Sequence, residues 1–314
     1  MSKVFSRWSR VCVPALAAVI LVTGISMGRA SAQDIFMRKL QVIYEGAPVD
    51  QSNMKLGSWG SGLCEESSEN ALAGSRSLKI TPKDLYTGGR IDFATPLDLT
   101  ESAKNPDAYL QFVCQFFGAQ AMDSLTQSLG TAAAATDMYG GTATPGKQVR
   151  KLRAVFFFEN GPAVEVQGPL SAYKVGDDGW MVVSFPMAAL KGKTELSQYR
   201  ITRIVLTGDG TEPFFVGEIR IVPDSAPLVA DTTDDMEVSK NYPIAFQGFC
   251  KSGGSAVKYS WDFDKKNGIQ AEAVNDLVYH RFTNIGSYEV TLTITDMFGI
   301  KQPASKIIRV KVNE

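Results

Sequence analysis

Histidine is almost missing from this chain: His280 is the only one in 314 residues. Its solitude removes His-based catalytic triads and multi-imidazole metal sites from consideration. Cysteine is scarce too, with four residues and no Cys-x-x-Cys pair. There is no Gly-x-Ser-x-Gly elbow and no glycine-rich phosphate loop ahead of a helix. No excess of charge of either sign exists, since 32 basic residues face 33 acidic ones. Such a balance gives no footing for a nucleic-acid function. Apolar runs are short after Met27, so no later segment reads as a membrane span. Glycoside hydrolysis needs two positioned carboxylates, one with a raised pKa, and no recognisable pair stands out. Glu65-Glu66 and Asp177-Asp178 read as solvated turn residues, and Gly208-Asp209-Gly210 as a hairpin turn.

What is present fits a folded, exported protein. Hydrophobic residues make up 44% and charged residues 21%, an ordinary globular balance, and the length has room for two domains beside a targeting segment. Lys3, Arg7 and Arg10 precede an apolar run from Val11 to Met27, and Ala30-Ser31-Ala32 offers small residues for a peptidase. Residues 1–32 are therefore expected to be a secretory signal peptide, which places the mature protein in a periplasm or outside the cell, with no membrane attachment. Their loss takes the formal charge from −1 to −5, because they hold four basic residues and no acid. Cys64, Cys114 and Cys250 would then enter an oxidising compartment as an odd set. Cys64 and Cys114 could pair, or Cys114 could be packed in its apolar strand. Cys250 is expected to be a free thiol.

From Ser287 to Thr295, Tyr288, Val290, Leu292 and Ile294 alternate with polar residues, the pattern of a half-buried strand. Asn284-Ile-Gly286 before it and Asp296-Met-Phe-Gly299 after it supply the turns. Together with Tyr259-Ser-Trp-Asp-Phe-Asp264 and Tyr279-His-Arg-Phe282, this stretch resembles the PKD domain, an immunoglobulin-like sandwich of bacterial surface and secreted proteins. The resemblance covers about residues 226–314 and implies an adhesion or spacer module able to fold alone. Trp261 is expected in the inter-sheet core and His280 in a structural role. The family's short Phe-Gly-Asp-Gly turn is replaced here by Phe263-Asp-Lys-Lys-Asn-Gly268, so a longer turn is expected. Pro223-Asp-Ser-Ala-Pro227 reads as a brief linker.

Residues 33–223 read as short strands with turn punctuation and almost no helical periodicity. Expected strands are 37–44, 54–59, 75–81, 88–94, 108–117, 150–159, 162–167, 179–185, 201–207 and 214–222, with helical turns at 187–191 and 197–199. Residues 118–147, rich in small and turn-forming types, read as a flexible insertion, with a lid over a ligand face as the sharper alternative. Val42-Ile-Tyr-Glu-Gly46, Ala73-Gly-Ser-Arg-Ser-Leu-Lys-Ile80, Tyr86-Thr-Gly-Gly-Arg-Ile91, Pro96-Leu-Asp-Leu99 and Phe214-Phe-Val-Gly-Glu-Ile-Arg-Ile-Val222 resemble a carbohydrate-binding module of the galactose-binding-like jelly-roll type. The expected fold class is thus all-β, a jelly-roll sandwich followed by an immunoglobulin-like sandwich.

Sugar recognition needs aromatic faces for stacking and polar side chains for hydroxyls. Trp59, Tyr86, Tyr173 and Trp180 lie at strand ends or turns, and Arg90, Asp92, Gln111 and Gln115 on the polar parity of strands. These eight are the candidate ligand set. No cofactor is required; a structural calcium ion held by Glu45 and Glu218 is left open. The expected function is non-catalytic binding of a polysaccharide or cell-surface glycan, with other extracellular proteins as further partners. The alternative is a scaffold making protein contacts only, and a hydrolase with an unfamiliar site is a third class.

Overall fold

The computed structural model describes residues 39–116, 149, 151–169, 174–175, 178–190, 198–251 and 254–314. The expected signal segment at 1–32, the insertion at 118–147 and Tyr173 lie outside the described residues. The described residues belong to one compact unit.

The N-terminal half is built from β1 (Gln41–Tyr44), β2 (Met54–Trp59), β3 (Leu63–Ser67), β4 (Ser77–Thr81), β5 (Gly88–Asp98), β6 (Ala108–Phe116), β7 (Lys151–Phe158), β8 (Val164–Pro169), β9 (Lys174–Val175), β10 (Trp180–Pro186), β11 (Arg200–Gly208) and β12 (Phe214–Pro223). One sheet runs β3-β4-β12-β6-β10-β9, with β1 also on β12; the other runs β2-β5-β11-β7-β8. Alternation decides how they face each other. Leu152, Ala154, Phe156 and Phe158 of β7 point inward, opposite Leu110, Phe112 and Cys114 of β6, and all join one core. Strands β6, β10 and β12 of the first sheet are buried on both faces, which is why they read as nearly unbroken apolar runs. A short helix, α1 (Thr100–Lys104), and the turn α2 (Met187–Leu190) close one end with Ala103, Met187 and Leu190.

Three local expectations are corrected. Glu65 and Glu66 lie on β3, where Glu66 pairs with Arg76 at 2.9 Å, so they are strand residues of an edge and not a turn. Gly208-Asp209-Gly210 does not close a hairpin, because β11 and β12 belong to different sheets; the chain crosses between layers there. Gln198 and Tyr199 are not helical, and Tyr199 packs edge-on against Phe158.

The C-terminal half contains β13 (Ala230–Thr232), β14 (Met236–Ser239), β15 (Ile244–Cys250), β16 (Val257–Asp262), β17 (Ala273–Val274), β18 (Leu277–His280), β19 (Gly286–Asp296) and β20 (Ala304–Asn313). They form the sheets β13-β15-β18 and β14-β20-β19-β16-β17. Val290, Leu292 and Ile294 of β19 are buried and their neighbours are not, as the alternation requires. Trp261 is fully buried against Phe246, and its indole N–H donates to Asn275 O at 2.9 Å. His280 stacks on Phe263 at 3.9 Å, so its structural role is ring packing. The carboxylate of Asp296 accepts from the backbone N–H groups of Phe298, Ile300 and Lys301, and Gly299 takes the left-handed conformation that closes the turn.

The two halves meet through buried polar contacts. Ser255 Oγ donates to Tyr109 Oη at 3.0 Å, Gly254 N donates to Asp224 Oδ2, and Phe298 packs edge-on against Phe185. The stretch expected to be a linker is part of this contact, since Asp224 is buried.

Candidate functional site

The face of β2-β5-β11-β7-β8 that points away from the core is the candidate site. Its register brings Trp59 beside Gly88, Gly57 beside Arg90, and Lys55 beside Asp92; β11 then sets Val205 beside Arg90 and Arg203 beside Asp92. A bulge between Ile201 and Arg203 makes this possible. Ile201 and Ile204 both reach the core, so one extra residue lies between them and Arg203 is aimed outward.

Asp92 is the electrostatic centre of the face. Arg90 Nε lies 2.8 Å from Asp92 Oδ2, and Arg203 Nε lies 2.5 Å from Asp92 Oδ1. One carboxylate therefore holds two guanidinium groups. On the next strands Arg153 grips Glu165 with two bonds, Nε to Oε1 at 2.6 Å and Nη2 to Oε2 at 2.5 Å, and Gln167 Nε2 donates to the same Oε1. The hydrogen bond from Arg153 holds the Glu165 carboxyl below its ordinary range, and the reciprocal bond raises the guanidinium. A carboxylate held ionised in this way is poorly suited to donate a proton to a leaving group.

Aromatic rings frame these charges. Trp59 and Phe157 lie with ring centroids 5.8 Å apart, and the Arg203 guanidinium sits 5.5 Å above the Phe157 ring. Tyr86 stands at the edge, 65% exposed, with the Arg153 guanidinium 5.1 Å from its ring. Its backbone is left-handed at φ 66°, a conformation that a β-carbon disfavours. The loop holds it there: Thr87 Oγ1 accepts from the N–H groups of Lys83 and Asp84 and donates to Asp84 O.

Of the residues expected from sequence, Trp59, Tyr86, Arg90 and Asp92 share this face. Gln111, Gln115 and Trp180 lie on the other sheet and do not. Gln111 is fully buried, accepting from Arg220 Nε at 3.1 Å, and a β-carbon on Gly254 of the C-terminal half would lie 3.0 Å from its amide. Trp180, 2% exposed, packs with Val113, Val182 and Phe215 in a separate small core. Gln115 donates to Asp178 O at 2.6 Å beside it. For Gln111 and Trp180 the cause is shared, since the outer surface of that sheet is covered where they stand; Gln115 is half-buried.

Phe157, Arg153, Arg203 and Glu165 belong to the face and were not singled out from sequence. A signal existed for Phe157. In the run Phe156-Phe157-Phe158 only alternate rings can enter one core, so the middle ring must face outward.

Glu45 and Glu218, for which a shared calcium ion was left open, lie on either side of one ammonium group. Lys39 Nζ lies 2.6 Å from Glu218 Oε1 and 3.6 Å from Glu45 Oε2. Arg220 Nη1 bonds the other oxygen of Glu218 at 2.8 Å. Among the described residues no group of three acidic, histidine or cysteine side chains converges as a metal site. Cys64 and Cys114 are buried thiols with no bond between them, and Cys250 is a buried thiol as well.

Residues 224–312 match the family model of the PKD domain. Among solved structures, the C-terminal family 22 carbohydrate-binding module of Clostridium thermocellum Xyn10B, described for the role of cleft amino acids in ligand binding, is similar at 12% identity. That likeness has a TM-score of 0.31 and covers 59% of this chain and 92% of that one. No curated protein matches the chain.

Proposed function

We propose that this is an exported, non-catalytic protein that binds a polysaccharide or cell-surface glycan on the outer face of the β2-β5-β11-β7-β8 sheet, with the PKD domain as a spacer or adhesion module. One observation carries the reading: the Trp59–Phe157 ring pair, both rings half-buried, lies beside a ladder of charged groups on the outer face of one sheet. Rings of this kind stack on the C–H faces of sugars, and arginine forks and carboxylates take the hydroxyl groups. Each hydroxyl exchanges a water bond for a protein bond at a net gain of about 0.5–1.5 kcal/mol. Stacking therefore carries most of the selectivity. Export is supported by the basic, apolar and small-residue order of residues 1–32.

The test is retention of the full chain on a panel of insoluble polysaccharides. Trp59→Ala and Phe157→Ala should each weaken retention of a protein whose melting curve shows it to be folded. A folded protein retained by no polysaccharide overturns the reading. Scaffolding through protein contacts would then remain, and it draws on Ile269, Ile285 and Ile307, each more than half exposed on the PKD domain.

A further inference from the structure

We propose that the face selects acidic polysaccharides, those rich in uronate carboxylates, over neutral ones; this rests on the glycan-binding reading above. The charge on the face is the first reason. On this face Lys55, Arg90, Lys151, Arg153, Arg200 and Arg203 stand with Asp92, Asp98, Glu159 and Glu165, six bases against four acids, so it carries an excess of two positive charges in a chain whose formal net charge is −1. A patch opposite in sign to the rest of the molecule attracts ligands of its counter-charge.

The geometry of the two guanidiniums is the second reason. Arg153 is fully occupied, since it meets both oxygens of Glu165. Among the described residues Arg203 donates to Asp92 through Nε, Arg90 stands 2.8 Å from the same carboxylate through Nε as an ion pair, and the Arg90 and Arg203 side chains are 37% and 36% exposed. Each therefore keeps its terminal nitrogens for a further acceptor. Two guanidiniums on one carboxylate leave one positive charge uncompensated, which a neutral sugar does not need and a carboxylate neutralises with paired bonds. Gly57 prepares the arrangement. A β-carbon there would come within 2.8 Å of Arg90 Nη2, so the missing side chain lets the guanidinium lie across β2. The Trp59 and Phe157 rings beside it supply the stacking surface that a ring-shaped acid requires.

The experiment is affinity electrophoresis of the full chain in gels holding polygalacturonate, alginate, methyl-esterified polygalacturonate, a neutral xylan or dextran sulfate. Retardation by the two uronate polymers is expected, falling with added salt and dropping about tenfold when the carboxyls are esterified. Arg90→Gln and Arg203→Gln should each weaken it roughly fivefold with an unchanged melting temperature, and Gly57→Ala should weaken it by displacing Arg90. Equal retardation by the esterified polymer or by xylan overturns this proposal and leaves the glycan-binding function standing. Retardation by dextran sulfate as strong as by the uronates, or uronate binding unaffected by both glutamine variants, also overturns it. Absence of retardation by any polysaccharide overturns both readings together.

Discussion

Lys301 Nζ lies 2.7 Å from Asp224 Oδ2, and both side chains are buried, 8% and 0% exposed. The pair ties the turn after β19 to the end of β12. The ammonium also donates to Ala226 O at 2.7 Å and sits 5.3 Å over the Tyr109 ring. A charge buried this way stays buried if its partner is removed, a loss that costs about 3–5 kcal/mol. Lys301→Met should therefore lower the unfolding free energy by about that amount, and Asp224→Asn added to it should recover much of the loss. Urea unfolding curves measure both. Equal stability of the single variant and the parent would show that the contact is not formed in solution.

Trp261→Ala tests the core of the PKD domain. The indole is fully buried among Phe246 and Phe263 and hydrogen-bonded to Asn275 O. A loss of about 3–5 kcal/mol is expected from the cavity and the unpaired carbonyl. A loss below about 1 kcal/mol would contradict the packing described.

Trp180 and Tyr86 should respond in opposite ways. Trp180→Ala empties the small core of Val113, Val182 and Phe215 and should lower the melting temperature. Tyr86→Gly removes an exposed ring from a left-handed position that glycine adopts without strain, so its melting temperature should hold or rise. Its polysaccharide retention should fall. Melting curves and retention assays on the two variants separate fold from binding.

Burial pushes the Cys64 thiol up to about 12, with Glu65 adding to it, and burial alone pushes the Cys114 thiol up as well. A raised folded value favours the neutral thiol. The resulting stability is complete below the unfolded thiol value of about 8.5 and is lost as pH rises from there through the folded value. Native protein at pH 8 should accordingly be inert to a thiol reagent at both positions, and denaturation should expose Cys64, Cys114 and Cys250 as three thiols. His280 has the opposite sign. Burial lowers its value, so its contribution is complete above about 6.5 and is lost as pH falls through the lowered value, which acid titration of stability would record.

Much of this fold was legible in residue order. The alternation of Ser287–Thr295 placed Val290, Leu292 and Ile294 in a core, and the turn residues Asn284-Ile-Gly286 and Asp296–Gly299 marked where that strand stops. Residue order offered Trp59, Tyr86, Arg90 and Asp92 only within a set that also held Gln111, Gln115, Tyr173 and Trp180, and it did not separate the residues of this face from the rest. The strand β3 was not legible, because paired glutamates on an edge strand look like a solvated turn.

Residue order alone determined parity: which side chains share one side of each strand, since successive residues point to opposite faces whatever lies beyond. It could not determine which side stays open to solvent. Gln111 and Trp180 have the same local character as Arg90 and Trp59, yet they are buried because the C-terminal half and a second small core cover their sheet. Only tertiary packing decided that difference, together with the bulge that turns Arg203 toward Asp92. Coverage depends on contacts between residues more than a hundred positions apart, such as Tyr109 with Ser255, and no local period records them.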